Sequence, residues 1–287
     1  MSRTTIICAG LVTVDVLYFV DGPLVEGEKR RAHQAQMFAG GGALNAAVAI
    51  TALGGHAILA GAIGDDVFGQ FVRQELARLG VDDSLLITVP GIASAHSAVL
   101  VSASGERTIT NFRDDRLFLD PPLRDLGFDA VLVDTRWRAA AAELLPAARA
   151  AGKPAVIDAE APLAGVEDLL PLASHVAFSE QGLQDFTGDP GADGLTVAAQ
   201  RLQIWTCVTR GPRSVLYHDG VRLEESPVLP VVAKNTLGAG DVWHGAFALG
   251  LGEGLAATDA IRSASAAAGQ SVQKAGPLRA GSLRVDQ

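Results

Sequence analysis

Cysteine is nearly absent: 2 of 287 residues, Cys8 and Cys207, each inside an apolar run that reads as a strand. Two such residues make neither a disulfide framework nor a thiolate zinc site, and both read as buried thiols. The 6 histidines are scattered without metal-ligand spacing. Basic residues are in deficit, 23 Lys and Arg against 32 Asp and Glu, for a net charge of −9. With no basic stripe, a nucleic-acid partner is not expected. A small anionic substrate is still allowed, because it needs only a few local donors. No apolar stretch reaches the roughly 18–20 residues of a membrane span. Residues 1–8 lack the apolar core of a signal peptide, and no low-complexity tract or like-charge block occurs. The expectation is a cytoplasmic protein with no membrane partner.

Apolar residues, by contrast, make up 48% of the chain, and glycine occupies 32 positions. That is enough for a sizeable core, with glycine serving turns and close backbone approaches. Apolar runs at 6–10 and 57–60 read as strands, separated by an Ala-rich helix over 43–53 and followed by a helix from Asp65-Asp66 to Leu79. After position 129 the alternation resumes. Strands are predicted at 130–133, 154–157, 175–178, 205–209 and 214–217. Helices are predicted at 139–151, 181–186, 192–202, about 239–252 and about 256–274. Such alternation predicts an α/β fold: a parallel sheet between two helical layers, as a single domain over 1–287. The β-type runs within 14–38 and 96–112 do not fit that layer. They predict a small β-sheet projecting from the main domain as a lid.

One segment carries the clearest chemical signal. Asn235-Thr236-Leu237-Gly238-Ala239-Gly240-Asp241 runs straight into a predicted helix. Gly238, Ala239 and Gly240 leave the first backbone N–H groups open, where the helix dipole favours a phosphate. Asp241 beside them adds a negative charge. It is either a helix cap or a base that takes a proton from an attacking hydroxyl. A second cluster, Gly40-Gly41-Gly42 before Asn45, allows either close approach of a ligand or tight helix–sheet packing. Gly250-Leu251-Gly252-Glu253-Gly254 spells a dinucleotide fingerprint but follows a helix, so it reads as a helix end. No P-loop pattern is present.

These motifs resemble, in order and along almost the whole chain, those of the ribokinase-type (PfkB) carbohydrate kinase family. Asn235 to Asp241 is similar to the family's C-terminal signature. Gly41-Gly42-Ala43-Leu44-Asn45, Leu53-Gly54 and Ile63-Gly64-Asp65-Asp66 resemble its N-terminal signature. Thr209-Arg210-Gly211 resembles its nucleotide loop, and Asp15 its early sugar-binding aspartate. The resemblance implies a ribokinase-like three-layer domain that transfers the γ-phosphoryl of ATP to a sugar CH₂OH. In that reading Asp241 is the general base, and Gly238, Ala239 and Gly240 steady the transferring phosphoryl. Asp15, Gly41, Gly42 and Asn45 bind the sugar, while Thr209, Gly211, Thr236, Gly238, Gly240 and Gly276 bind the nucleotide. ATP and Mg²⁺ are implied, with a monovalent cation as an option, and the lids of such enzymes often pair into a homodimer.

Within the family the segments Gly105 to Asn111, Asp134 to Trp137, Ala177 to Leu183 and Gly238 to Ala246 resemble kinases of 6-deoxy-6-sulfofructose. That resemblance implies phosphorylation at C1 and a sulfonate held by Lys29, Asn111 and Arg136. A tetrahedral oxyanion suits an ammonium, an amide and a guanidinium fork. Three departures stand out. Asn235 replaces the signature's first aspartate. Ser179-Glu180-Gln181-Gly182 lacks the family's Asn-x-x-Glu metal motif, so no metal ligand is assigned. Ser214 stands where the nucleotide loop usually has a second glycine. Fructose, ribose, a 2-keto-3-deoxy acid or a nucleoside are alternative substrates, and a non-catalytic sugar- or nucleotide-binding homologue is the alternative class.

Overall fold

Strand β1 (Thr5–Ala9) lies between β4 (His56–Gly64) and β8 (Ala130–Asp134), parallel to both, and all of β8 is buried. Strands covered on both faces are continuous apolar runs, which is why these segments are legible as strands. The computed structural model describes residues 3–22, 25–103, 106–118, 126–274 and 283. The main sheet continues through β5 (Asp82–Val89) on one side. On the other side follow β9 (Ala155–Ala159), β10 (His175–Ser179), β11 (Trp205–Arg210), β12 (Arg213–His218) and β13 (Leu223–Ser226). Its order is β13-β12-β11-β10-β9-β8-β1-β4-β5.

The parallel sheet expected from the alternation runs from β5 to β11, and the far edge departs from it. β12 and β13 are antiparallel. Only Gly211-Pro212 separates β11 from β12, far too short for a parallel crossover. Gly211 has φ +59°, the left-handed turn conformation that glycine adopts without penalty. β13 is an edge strand whose Leu-Glu-Glu-Ser sequence carries no apolar alternation, so no strand is predicted there.

Helices α1 (Gly42–Ala52), α2 (Val67–Leu79), α6 (Ala239–Gly252) and α7 (Ala257–Val272) pack on one face. Helices α3 (Arg138–Ala150), α4 (Glu180–Thr187) and α5 (Ala192–Leu202) cover the other. Every residue of α6 from Val242 to Leu251 is buried, as befits a helix held between the sheet and α7. At Gly245 a Cβ would stand 2.7 Å from the Ala46 carbonyl oxygen, so α1 and α6 touch backbone to backbone. This contact fixes Asn45 and Asp241 relative to each other. α6 ends at Gly252, as the reading of Gly250 to Gly254 as a helix end requires.

A second, smaller sheet stands apart, in the order β3-β2-β6-β7. It is built from β2 (Thr13–Val20), β3 (Gln34–Gly40), β6 (His96–Ser102) and β7 (Arg107–Phe112). It lies where the two unplaced β-type regions predict it. Asp15 pairs with Ser97, and Ser97 with Asn111. In-register side chains share a face, so these three residues form one row across the sheet, with Asp15 and Asn111 about 10 Å apart.

Candidate active site

Parallel strands bring their carboxyl ends to one edge, where open α/β sheets bind ligands. Asp134 ends β8, and its register partner Asp158 lies near the end of β9. Ser179 and Thr209, the last residues of the β10–β11 register, lie farther along the same edge. Above the first two sit the amino termini of α1 and α6.

Gly41 precedes α1 with φ +99°, and a Cβ there would stand 2.1 Å from the Leu11 carbonyl oxygen. Only glycine lets the chain enter the helix this close to the turn after β1. Asn45, in the first turn of α1, donates from Nδ2 to Asp241 Oδ2 at 2.7 Å. Asp241 is the third residue of α6, behind Gly238, which is left-handed at φ +72°. Nothing lies within 4 Å of a Cβ placed on Gly240, so the helix start is open. Asp241 is therefore not a side-chain cap: the capping residue is Gly238, and no side chain caps α6. Burial, and then the charge of Asp158, push the Asp241 carboxyl up to about 7, against the bond from Asn45, which favours the ionised form.

Asp134 is a positioning acid that the sequence reading does not single out. Its Oδ2 accepts from Leu11 N at 2.7 Å and its Oδ1 from Arg136 N at 2.8 Å. It thus ties the turn leading to β2 to the loop after β8. Burial raises it to about 6, although both amides stabilise the carboxylate. A Cβ on Gly42 would stand 3.4 Å from Asp134 Oδ2 and 3.7 Å from Asp241 Oδ1, so both acids border the start of α1.

Asp15 lies over Gly40, whose Cβ would fall 2.6 Å from Asp15 Oδ2. Its carboxyl is raised by burial and steadied by the Ser97 hydroxyl and the charge of Arg113. Arg113, just beyond β7, also acts on Asp134, Glu160 and Arg136. Partial desolvation and the neighbouring Arg136 charge lower its proton affinity, although the side chain reaches solvent. Among the described residues its guanidinium makes no ion pair or hydrogen bond. Arg136 is committed instead: it donates to the Ala161 carbonyl oxygen at 2.6 Å and stands 3.8 Å from Glu160.

Other predicted site residues are placed as follows. Asn111 is exposed on β7. Lys29 is exposed in the turn between β2 and β3, and no described contact joins it to Asn111 or Arg136. Thr209 Oγ1 donates to the Phe178 carbonyl oxygen at 3.4 Å, Gly211 makes the β11–β12 turn, and Thr236 accepts from Ala239 N at 3.3 Å. Gly276 lies outside the described residues. Ser179 accepts from Gly182 N at 3.0 Å and caps α4, while Glu180 pairs with Arg213.

The missed residues, Asp134, Asp158, Glu160, Arg113 and His244, are single charged or titratable groups in otherwise unremarkable stretches. For Asp134 and Asp158 a signal did exist: an acid at or next to the end of an otherwise apolar strand, at the ligand-binding edge of an α/β sheet.

Comparison with known proteins agrees with this geometry. The profile of the pfkB family carbohydrate kinases matches residues 3–280. The ribokinase of Lactococcus lactis is 25% identical, over 96% of this chain and 92% of its own. The fructokinase of Klebsiella pneumoniae is 31% identical, over 76% of this chain and 77% of its own. A solved Agrobacterium tumefaciens structure with a provisional ribokinase assignment is 34% identical and superposes with a TM-score of 0.89, covering 97% of this chain and 95% of that one. The chain belongs to the pfkB family of carbohydrate kinases and is an ATP-dependent sugar kinase with the ribokinase-like fold.

Proposed function

We propose that the protein phosphorylates C1 of a ketose bearing an anion at C6, with 6-deoxy-6-sulfofructose as the substrate. The observation that carries the reaction is Asp241: a carboxylate at an open helix start, with its proton affinity brought near neutrality. A general base serves best when its pKa lies near the working pH. Asp241 takes the proton of the sugar hydroxyl as that oxygen bonds to Pγ. The bond from Pγ to the bridging oxygen breaks, and ADP leaves. The amides of Gly238, Ala239 and Gly240 face the charge that builds on the moving phosphoryl.

Asp15, Gly41, Gly42 and Asn45 orient the sugar hydroxyls. Lys29, Asn111 and Arg136 take the sulfonate, and the guanidinium of Arg113, which has no hydrogen-bond or ion-pair partner among the described residues, joins them. Thr209, Gly211 and Thr236 border the nucleotide. Among the described residues no three His, Cys, Asp or Glu side chains are grouped to hold a metal. A Mg²⁺ accompanying ATP would neutralise phosphate charge when bound and would need few protein ligands. The small sheet closes over the sugar to exclude water and pairs with a second copy.

A second reading is a neutral ketose or pentose. It is favoured by the commitment of Arg136 to Ala161 and Glu160, and by relatives named ribokinase and fructokinase. ADP release should be measured over 6-deoxy-6-sulfofructose, fructose 6-phosphate, fructose, ribose, a 2-keto-3-deoxy acid and a nucleoside. A kcat/KM for sulfofructose at least about tenfold above that for fructose is expected, the effect of one charged hydrogen bond. Equal or greater efficiency on fructose or ribose selects the second reading.

A further inference from the structure

One turn beyond Asp241 on α6, His244 is enclosed. It is 4% exposed, and its Nδ1 stands 3.2 Å from Oδ2 of Asp158, itself 8% exposed. Among the described residues neither ring nitrogen of His244 nor Asp158 Oδ1 makes a hydrogen bond, so the 3.2 Å approach to Asp158 is an ion-pair contact without hydrogen-bond geometry. With Asp134 and Gly42 they line a small cavity beneath the ends of β8 and β9.

The charges around this ring are lopsided. β8 supplies Asp134, β9 supplies Asp158 with Glu160 directly after it, and α6 itself supplies Asp241. From β11, the buried Cys207 thiol is held protonated by burial and by the charge of Asp158. From α1 comes only the neutral amide of Asn45, already bonded to Asp241. Arg136 and Arg113 act on Asp134 and Glu160 from the cleft side. Three carboxyl groups, those of Asp158, Asp241 and Glu160, thus act on one imidazole where solvent screens weakly, and Asp134 lines the same cavity. Burial is the largest single influence and disfavours the imidazolium; the attractions of Asp158, Asp241 and Glu160 together more than offset it, leaving His244 raised above its ordinary value.

We propose that His244 is a positioning residue for phosphoryl transfer: clamped to Asp158 as an imidazolium, it supplies the buried positive charge beneath Asp241 and so keeps that carboxylate ionised. The assignment rests on the reading of Asp241 as the base. It accounts for an ionisable ring in a buried stretch of α6, Val242 to Leu251, whose other residues are all apolar or glycine. A ring that merely filled space would gain nothing from facing Asp158.

The deciding readout needs no substrate. Full-length protein carrying ¹³Cγ-labelled aspartate is titrated by NMR, with the Asp241 signal identified by its loss in Asp241→Asn. In His244→Gln, which keeps polarity and loses the charge, the Asp241 midpoint should rise by about one unit or more. An unmoved midpoint overturns the proposal. Should His244→Gln fail to fold, ¹⁵N shifts of the wild-type ring decide: an imidazolium at pH 7.5 supports the proposal, and a neutral ring overturns it. Loss of turnover in Asp241→Asn beside an unmoved midpoint in His244→Gln removes the His244 role alone. Undiminished turnover by Asp241→Asn removes the base reading itself.

Discussion

Asn45 Nδ2 donates to Asp241 Oδ2 at 2.7 Å, joining residues 196 positions apart through the contact of two helix starts. An amide N–H on one carboxylate oxygen leaves the other free to receive a proton. It also favours the ionised form that a base requires. The first prediction follows from that arrangement. Asp241→Asn should keep the bond, since an amide oxygen accepts as well, and lose the base. We expect kcat to fall roughly 10²–10⁴-fold with little change in KM for the sugar. A variant with more than a third of wild-type turnover removes Asp241 from that role.

The same carboxylate costs stability, with a definite sign. Its folded pKa of about 7 lies above the ordinary 3.8, so the folded state binds the proton more tightly. Its stabilising contribution is complete below about pH 4 and is lost as pH rises through 7. The full shift corresponds to about 4 kcal/mol as a ceiling, less because part of the side chain reaches the cleft. Asp241→Asn should therefore gain roughly 1–3 kcal/mol over wild type between pH 4 and pH 8. Urea unfolding at the two pH values measures it. A constant difference between the two proteins contradicts the assigned burial.

Much of this architecture could be read from sequence because its strands are covered on both faces. Runs such as Ala130 to Val133 have no polar interruption, and glycines or caps end the helices close to where they are predicted. The antiparallel edge could not be read, since β13 carries no apolar pattern and the direction of β12 depends on a two-residue turn. At the candidate site, Gly41, Asn45 and Gly238 to Asp241 were legible as candidates because they sit in local motifs that contiguous backbone geometry defines. Asp134, Asp158 and His244 were not. Their pairing depends on β8–β9 register and on which face of α6 meets the sheet, and neither is written in any one segment. The proposed sulfonate trio rests on resemblance alone, and the fold leaves Lys29 without a described contact to Asn111 or Arg136.

Backbone strain gives a third prediction. Gly41→Ala places a Cβ 2.1 Å from the Leu11 carbonyl oxygen at a φ of +99°. The start of α1 must retreat, carrying Asn45 away from Asp241. A loss of about 3 kcal/mol or more is expected, with activity falling further than stability accounts for. Gly54→Ala is the control, because φ is +97° there and nothing lies within 4 Å. It should cost only about 1–2 kcal/mol and leave kcat unchanged. Equal costs in urea unfolding would mean that the Leu11 contact relaxes.

The last prediction concerns which arginine meets the substrate's anion. Arg136 already satisfies the Ala161 carbonyl and lies 3.8 Å from Glu160, so part of its donor capacity is spent on holding the loop after β9. Arg113 has no described partner and stands near Asp15, which faces the sugar in the proposed site. A guanidinium that binds a sulfonate contributes about 1.5–3 kcal/mol to that substrate alone. Arg113→Ala should accordingly raise KM for 6-deoxy-6-sulfofructose about 10–100-fold and change KM for fructose less than about threefold. Arg136→Ala should raise KM for both sugars, because loosening the 160–162 loop also disturbs Asp134 through the Arg136 backbone amide, and should raise it further for 6-deoxy-6-sulfofructose, whose sulfonate its remaining donors help to hold. If Arg113→Ala weakens both sugars alike, its charge serves Asp15 rather than the anion, and the selectivity must come from Arg136 or Lys29.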